Sequence, residues 1–114
     1  LPENFGDLKN LDLLELEYNR INELPESFSS LEKIRYVSLL NNYLNRLPDN
    51  IGNLKKLEYL NIGFNKVTEI PLSIIEIKTL KYFGYYENPV DPNSLKKNYK
   101  TTTLGAYLEY IHKK

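Results

Sequence analysis

Four copies of one pattern, spaced at 23 residues with no break in register, dominate this 114-residue chain. Leu11, Ile34, Leu57 and Leu80 open the copies. Leu14, Val37, Leu60 and Phe83 stand three residues further on, and Leu16, Leu39, Ile62 and Tyr85 two beyond those. An asparagine column follows (Asn19, Asn42, Asn65, Asn88), then Ile21, Leu44, Val67 and Val90. A strict period of this length replaces a closed core by a stack. Each unit buries its apolar residues only against its neighbours. Binding chemistry then has to sit in the columns that face away from the stack.

Within each copy the first apolar trio alternates with period two, which predicts a short strand. In the second copy Val37 and Leu39 point inward, and Tyr36, Ser38 and Leu40 outward. The strands are expected to be parallel, because each turn of the stack returns the chain to the same place. The asparagines Asn19, Asn42, Asn65 and Asn88 are expected to bond backbone groups in the turn leaving each strand, where those groups are otherwise buried unpaired. Pro25, Pro48 and Pro71 precede Phe28, Ile51 and Ile74, which are followed three residues later by Leu31, Leu54 and Ile77. A fixed proline dihedral and a three-residue apolar spacing predict a single 3₁₀ or helical turn on the return path. Phe5 and Leu8 repeat that arrangement at the N-terminus.

The second halves read LPESFSSL, LPDNIGNL and IPLSIIEI, and the chain opens with LPENFGDL. Together with the columns, these resemble the 23-residue leucine-rich repeat with an LPxxI/FxxL half, as in bacterial repeat proteins, Ras-group plant proteins and the repeat regions of Roco-type GTPases. The resemblance implies an α/β solenoid: a right-handed superhelix with a short parallel concave sheet, an irregular or 3₁₀ convex side, and a habit of binding proteins. Residues 1–90 are read as the array and 91–114 as a C-terminal cap. In the latter a loop, with one short turn around Ser94–Lys97, leads to a helix. Leu104, Tyr107, Leu108 and Ile111 fall on one stripe of that helix. The run from ENPV to LEYI is similar to the closing segment of Roco-type repeat regions.

Composition narrows the chemistry. There is no cysteine, so disulfides and thiolate chemistry are absent, which leans toward a reducing, cytoplasmic compartment. No apolar run approaches the roughly 20 residues of a membrane span. Leu1 opens in mid-repeat without methionine, so the chain is expected to be a processed product or a cut fragment, which leaves room for an upstream signal. His112 is the sole histidine and reads as a solvated or packed residue. No metal-ligand spacing or phosphate loop is present, so no metal, cofactor or catalytic residue is expected. Asp12, Glu15 and Glu17 read as a solvated acidic face. Lys96, Lys97 and Lys100 are too few for a nucleic-acid surface. Net charge is zero but unevenly spread, −5 over residues 1–33 and +3 over 91–114.

The outward strand columns hold Leu13, Tyr36, Tyr59 and Tyr82; then Glu17, Leu40, Gly63 and Tyr86; then Tyr18, Asn41, Phe64 and Glu87. Tyr18, Tyr36, Leu40, Tyr59, Phe64, Tyr82 and Tyr86 are therefore the candidate partner-binding residues, since aromatic side chains are enriched at interfaces. A tyrosine ladder that stacks only on itself is the competing reading. Gly63 and Gly84 are expected to deepen the surface for a protruding partner side chain. The expected function is non-enzymatic binding of a protein or peptide on the concave face. The alternatives are a regulatory repeat region of a larger signalling protein such as a Roco-type GTPase, a secreted bacterial adhesin or effector, or glycan binding. The first strand offers an open edge, and with the acidic N-terminal end this predicts weak self-association.

Overall fold

The structure, a computed structural model, describes residues 1–90. It is a stack of four strands and four 3₁₀ turns. The strands are β1 (Leu13–Glu15), β2 (Tyr36–Ser38), β3 (Tyr59–Asn61) and β4 (Tyr82–Gly84). The turns are η1 (Phe5–Asp7), η2 (Glu26–Ser30), η3 (Ile51–Asn53) and η4 (Leu72–Glu76). The strands pair in parallel in the order β1-β2-β3-β4, in a register that matches the repeat, Leu13 to Tyr36 to Tyr59 to Tyr82. No α-helix occurs among the described residues. The expected helix over 104–111 lies outside them, as do the turn around 94–97 and the cap at 91–114.

The inward columns form one continuous core. Ile34, Val37, Leu39, Leu44, Leu57, Leu60, Ile62, Val67 and Phe83 are fully buried, and Phe28, Ile51 and Ile74 meet them from the convex side. Burying a large aliphatic or aromatic side chain contributes roughly 1.5–3 kcal/mol. Phe5 stacks on Phe28 with ring centroids 6.1 Å apart, so the opening half-repeat joins the core. Leu8 does not follow its counterparts Leu31 and Leu54 inside and stays 49% exposed.

Each strand is three residues long, but its hydrogen bonding runs further. Leu16 N–H donates to the Ser38 carbonyl at 2.9 Å and Tyr18 N–H to the Leu40 carbonyl at 2.9 Å. The chain then turns sharply. Tyr18, Asn41, Phe64 and Glu87 all adopt a left-handed backbone, with φ between 55° and 57°. The asparagine that follows locks this turn. Asn65 Nδ2 donates to the Ile62 and Leu39 carbonyls, both at 2.9 Å, and Asn65 Oδ1 accepts from Leu44 N–H at 2.9 Å. Asn42 and Asn88 repeat this on Leu16, Leu39 and Ile21, and on Ile62, Tyr85 and Val67. Each thus ties its own turn to the backbone of the preceding repeat. Asn19 bonds only the Leu16 and Glu17 carbonyls of its own turn and is exposed.

The convex side alternates in pairs. Gly6 N–H donates to Ser27 Oγ at 3.1 Å and Gly52 N–H to Ser73 Oγ at 3.0 Å; each serine hydroxyl in turn donates to the carbonyl of Glu3 or Asp49. A Cβ on Gly52 would lie 2.2 Å from the Ser73 carbonyl oxygen, so only glycine permits this approach. Three-residue turns η1 and η3 carry the glycine, and five-residue turns η2 and η4 carry the serine.

Candidate functional site

The parallel register brings Tyr36, Tyr59 and Tyr82 into one column of the concave face. Their rings stack in series, Tyr36 on Tyr59 at 4.3 Å with planes 3° apart and Tyr59 on Tyr82 at 4.7 Å with planes 10° apart. The strand spacing of about 4.8 Å sets that ring separation. Each such pair contributes about 0.5–1.5 kcal/mol beyond area burial. Both faces of the Tyr59 ring are therefore covered. The column offers ring edges outward, not ring faces.

The next outward column, after an exposed Glu15, is not solvated. Ser38 and Asn61 are 3% and 6% exposed and Gly84 is also buried, because the tyrosines lie across the sheet instead of standing off it. Asn61 Nδ2 donates to the hydroxyls of Tyr86 at 3.1 Å and Tyr59 at 3.3 Å, while its Oδ1 accepts from Gly63 N–H at 2.9 Å. This asparagine pins two tyrosines and was not legible as a site residue, since an outward strand asparagine has no pattern of its own. The expected hollows at Gly63 and Gly84 are absent. A Cβ on Gly63 would lie 2.5 Å from the Tyr86 ring, and one on Gly84 2.6 Å from the Tyr82 hydroxyl. The missing side chains make room for tyrosines of the same chain, not for a partner.

Beyond the ladder, Tyr86 meets Phe64 edge-on at 5.8 Å and 84°. Tyr18 and Phe64 are 75% and 47% exposed, and Leu40 is half-buried beside them. Tyr43, outside the expected set, is also exposed, and Lys66 Nζ sits 5.3 Å from its ring centroid.

Where the strands start, Asp12, Arg35, Glu58 and Lys81 form a column of alternating charge. Glu58 pairs with Lys81 at 3.2 Å and with Arg35 at 4.0 Å. These are exposed pairs, each contributing at most about 1 kcal/mol. They flank a shallow groove of about 380 Å³ lined by Asp12, Leu13, Arg35, Tyr36, Glu58 and Tyr59. Burial raises the Tyr36 phenol above its ordinary value of 10.0, helped by its hydrogen bond with Tyr59 and by the negative charge of Tyr59, Glu15 and Glu17. Asp12, Glu15 and Glu17 are not gathered into a metal site: among the described residues no group of three or more His, Asp or Glu is placed to hold an ion. No described helix is long and apolar enough to cross a membrane.

Comparison with known proteins agrees with this geometry. The family model described as leucine rich repeat matches residues 2–44. Among solved structures, the chain is similar to the leucine-rich repeat protein LIC12759 of Leptospira interrogans, with 35% identity over 90% of this chain and a TM-score of 0.82. It is also similar to the plant peptide hormone receptor RGFR1 in complex with RGF2, with 30% identity over 79% of this chain and a TM-score of 0.74. The chain spans 27% of the length of the first and 15% of the second. No curated protein gives a significant sequence match.

Proposed function

We propose that this leucine-rich repeat protein is a non-enzymatic module that binds a protein or peptide on its concave face. The observation that supports the reading most is the stacked column of Tyr36, Tyr59 and Tyr82, continued by Tyr86 and Phe64 and pinned from beneath by Asn61. Such a surface is already ordered before a partner arrives, so little side-chain entropy is lost on binding. Its ring edges suit a partner that offers carbonyls and apolar side chains in turn. A glycan stacked on the ladder is disfavoured, because the faces it needs inside the column are covered. Leucine-rich repeats commonly serve as protein-binding modules, and the receptor neighbour is itself seen in complex with RGF2.

The test is a selection of peptides or small domains that bind the folded chain, followed by affinity measurement against the triple variant Tyr36→Ser, Tyr59→Ser, Tyr82→Ser. Aromatic hot spots typically cost about 2 kcal/mol or more each on truncation, so binding should fall by orders of magnitude. Unchanged affinity in a triple variant that keeps its circular dichroism spectrum refutes the reading.

A repeat segment of a larger signalling protein is the second reading, favoured by the similarity to a receptor of which this chain spans only 15%. The chain also has a self-association surface in this proposal. Leu1, Leu8 and Leu13 are 43%, 49% and 50% exposed at the N-terminal end, on the side where β1 has no partner strand among the described residues. Particle mass should rise with concentration in light scattering at low salt; a strictly monomeric particle throughout removes this element.

A further inference from the structure

The rim where the strands end carries a feature that the core does not explain, and that the tyrosine ladder touches only where Tyr86 meets Phe64 edge-on. Its four left-handed positions are Tyr18, Asn41, Phe64 and Glu87. For a residue with a Cβ this backbone costs roughly 1–2 kcal/mol, and asparagine is the type that tolerates it best. Asn41 fits that preference. Tyr18 and Phe64 oppose it, and they are 75% and 47% exposed, so core packing does not offset the cost. Tyr18 makes no ring contact among the described residues, and the Asn41 side chain makes no hydrogen bond there.

The geometry of the rim is regular. Tyr18 N–H donates to the Leu40 carbonyl at 2.9 Å, Asn41 N–H to the Gly63 carbonyl at 3.0 Å, and Phe64 N–H to the Tyr86 carbonyl at 3.0 Å. The ladder therefore holds its strand spacing here, about 4.8 Å per repeat, which puts Tyr18 and Phe64 roughly 9.6 Å apart with only Asn41 between them. A polyproline-type helix rises about 3.1 Å per residue with three residues per turn, so its positions i and i+3 lie on one side about 9.3 Å apart. An extended strand presents same-side residues about 6.8 Å apart and does not match. The polyproline backbone makes no internal hydrogen bonds, which leaves a carbonyl between the two contacts free to accept from the Asn41 amide. On the strand that leads to Tyr18, the carboxylates of Glu15 and Glu17, near enough to Tyr36 to raise its phenol, have no ion-pair partner among the described residues.

We infer that this rim binds a proline-rich segment in the polyproline conformation, with prolines at i and i+3 resting on Tyr18 and Phe64 and a neighbouring Lys or Arg against Glu15 and Glu17. The inference rests on the reading that this side of the sheet binds a peptide or protein, and it names the chemistry of that partner.

The experiment is calorimetric or NMR titration of the full chain with a synthetic Arg-Ala-Pro-Ala-Ala-Pro peptide, beside a control in which the two prolines are adjacent. The first should bind at least tenfold more tightly. Tyr18→Asn and Phe64→Asn remove a ring while suiting the left-handed backbone, so loss of fold does not confound them; each should weaken binding at least tenfold, while Leu72→Ser, at an exposed position of the convex turn η4, leaves it unchanged. Equal affinity for the two peptides, or binding insensitive to both rim variants, overturns the inference. If a selected partner depends on Tyr36, Tyr59 and Tyr82 while the proline peptide does not bind, the concave-face reading stands and this one falls.

Discussion

Replacing Asn65 by alanine tests whether the asparagine column holds the stack together or merely shapes each turn. The Asn65 side chain is almost fully buried at 7% exposure and makes one accepted and two short donated bonds. Alanine leaves the Leu44 N–H, fully buried, with no acceptor, and a stranded buried donor costs about 1–3 kcal/mol. The Ile62 carbonyl keeps the Asn88 amide at 2.8 Å, and the Leu39 carbonyl keeps that of Asn42 at 3.0 Å. Their loss is therefore partial, at the low end of the ~0.5–1.5 kcal/mol of a typical hydrogen bond. The total comes to roughly 3 kcal/mol. Asn19→Ala removes only two bonds within one exposed turn, so its cost should stay below about 1 kcal/mol. Urea unfolding followed by circular dichroism measures both. If Asn19→Ala destabilises as much as Asn65→Ala, the bonds between repeats are not the source of the effect.

Gly52→Ala drives a Cβ to within 2.2 Å of the Ser73 carbonyl oxygen, and should lower stability by about 1–3 kcal/mol in the same assay. Ser29 Oγ is buried with no hydrogen-bond partner, so Ser29→Ala should be neutral or stabilising by up to about 1 kcal/mol, and a loss of stability would contradict that account. The raised Tyr36 phenol binds its proton more tightly in the fold than in the unfolded chain. Its contribution is thus present below pH 10.0 and is lost as pH rises from there through the folded value. Alkaline titration of unfolding should show a shallower decline in Tyr36→Phe than in the parent.

The parts of the fold that repeat were readable, and those that depend on what lies beside a residue were not. Val37, Leu60 and Phe83 announce their burial because the period places an apolar residue there every time. The same period identifies the tyrosine column, since parallel register carries one outward position directly onto the next. Whether the tyrosines stand up or lie down is set instead by the neighbouring column. Asn61 beneath Tyr59 and Tyr86, and the absent side chains of Gly63 and Gly84, bring the rings down onto the sheet. Glycine in a strand reads equally as a hollow or as a seat for a ring, and only the position of Tyr86 decides between them. The left-handed turn at Tyr18 and Phe64 is hidden for another reason. Sequence preference argues against it for aromatic residues, and the bonds of the following asparagine override that preference.

Those overriding bonds explain why the outer columns are free to vary. Every repeat closes its turn with the same asparagine, so the residue before it is held in one backbone geometry whether it is Tyr18, Asn41, Phe64 or Glu87. The scaffold does not select that residue. Yet the variation is not random along the stack. Aromatic residues occur at 18 and 64, two repeats apart, as do the glycines at 6 and 52 and the serines at 27 and 73 on the convex side. The convex pairing has a structural cause, because the Gly6 and Gly52 turns each need a serine hydroxyl from the next repeat. The rim pairing has none in the core, where every repeat is equivalent. Two faces of one stack thus share a period of two repeats, the convex one through packing and the rim one with Phe64 set edge-on against Tyr86 and Tyr18 without a ring contact among the described residues. Under the proposal made for the rim, this spacing follows from what the rim contacts, and Tyr18→Asn and Phe64→Asn should then weaken partner binding while leaving the urea midpoint close to that of the parent.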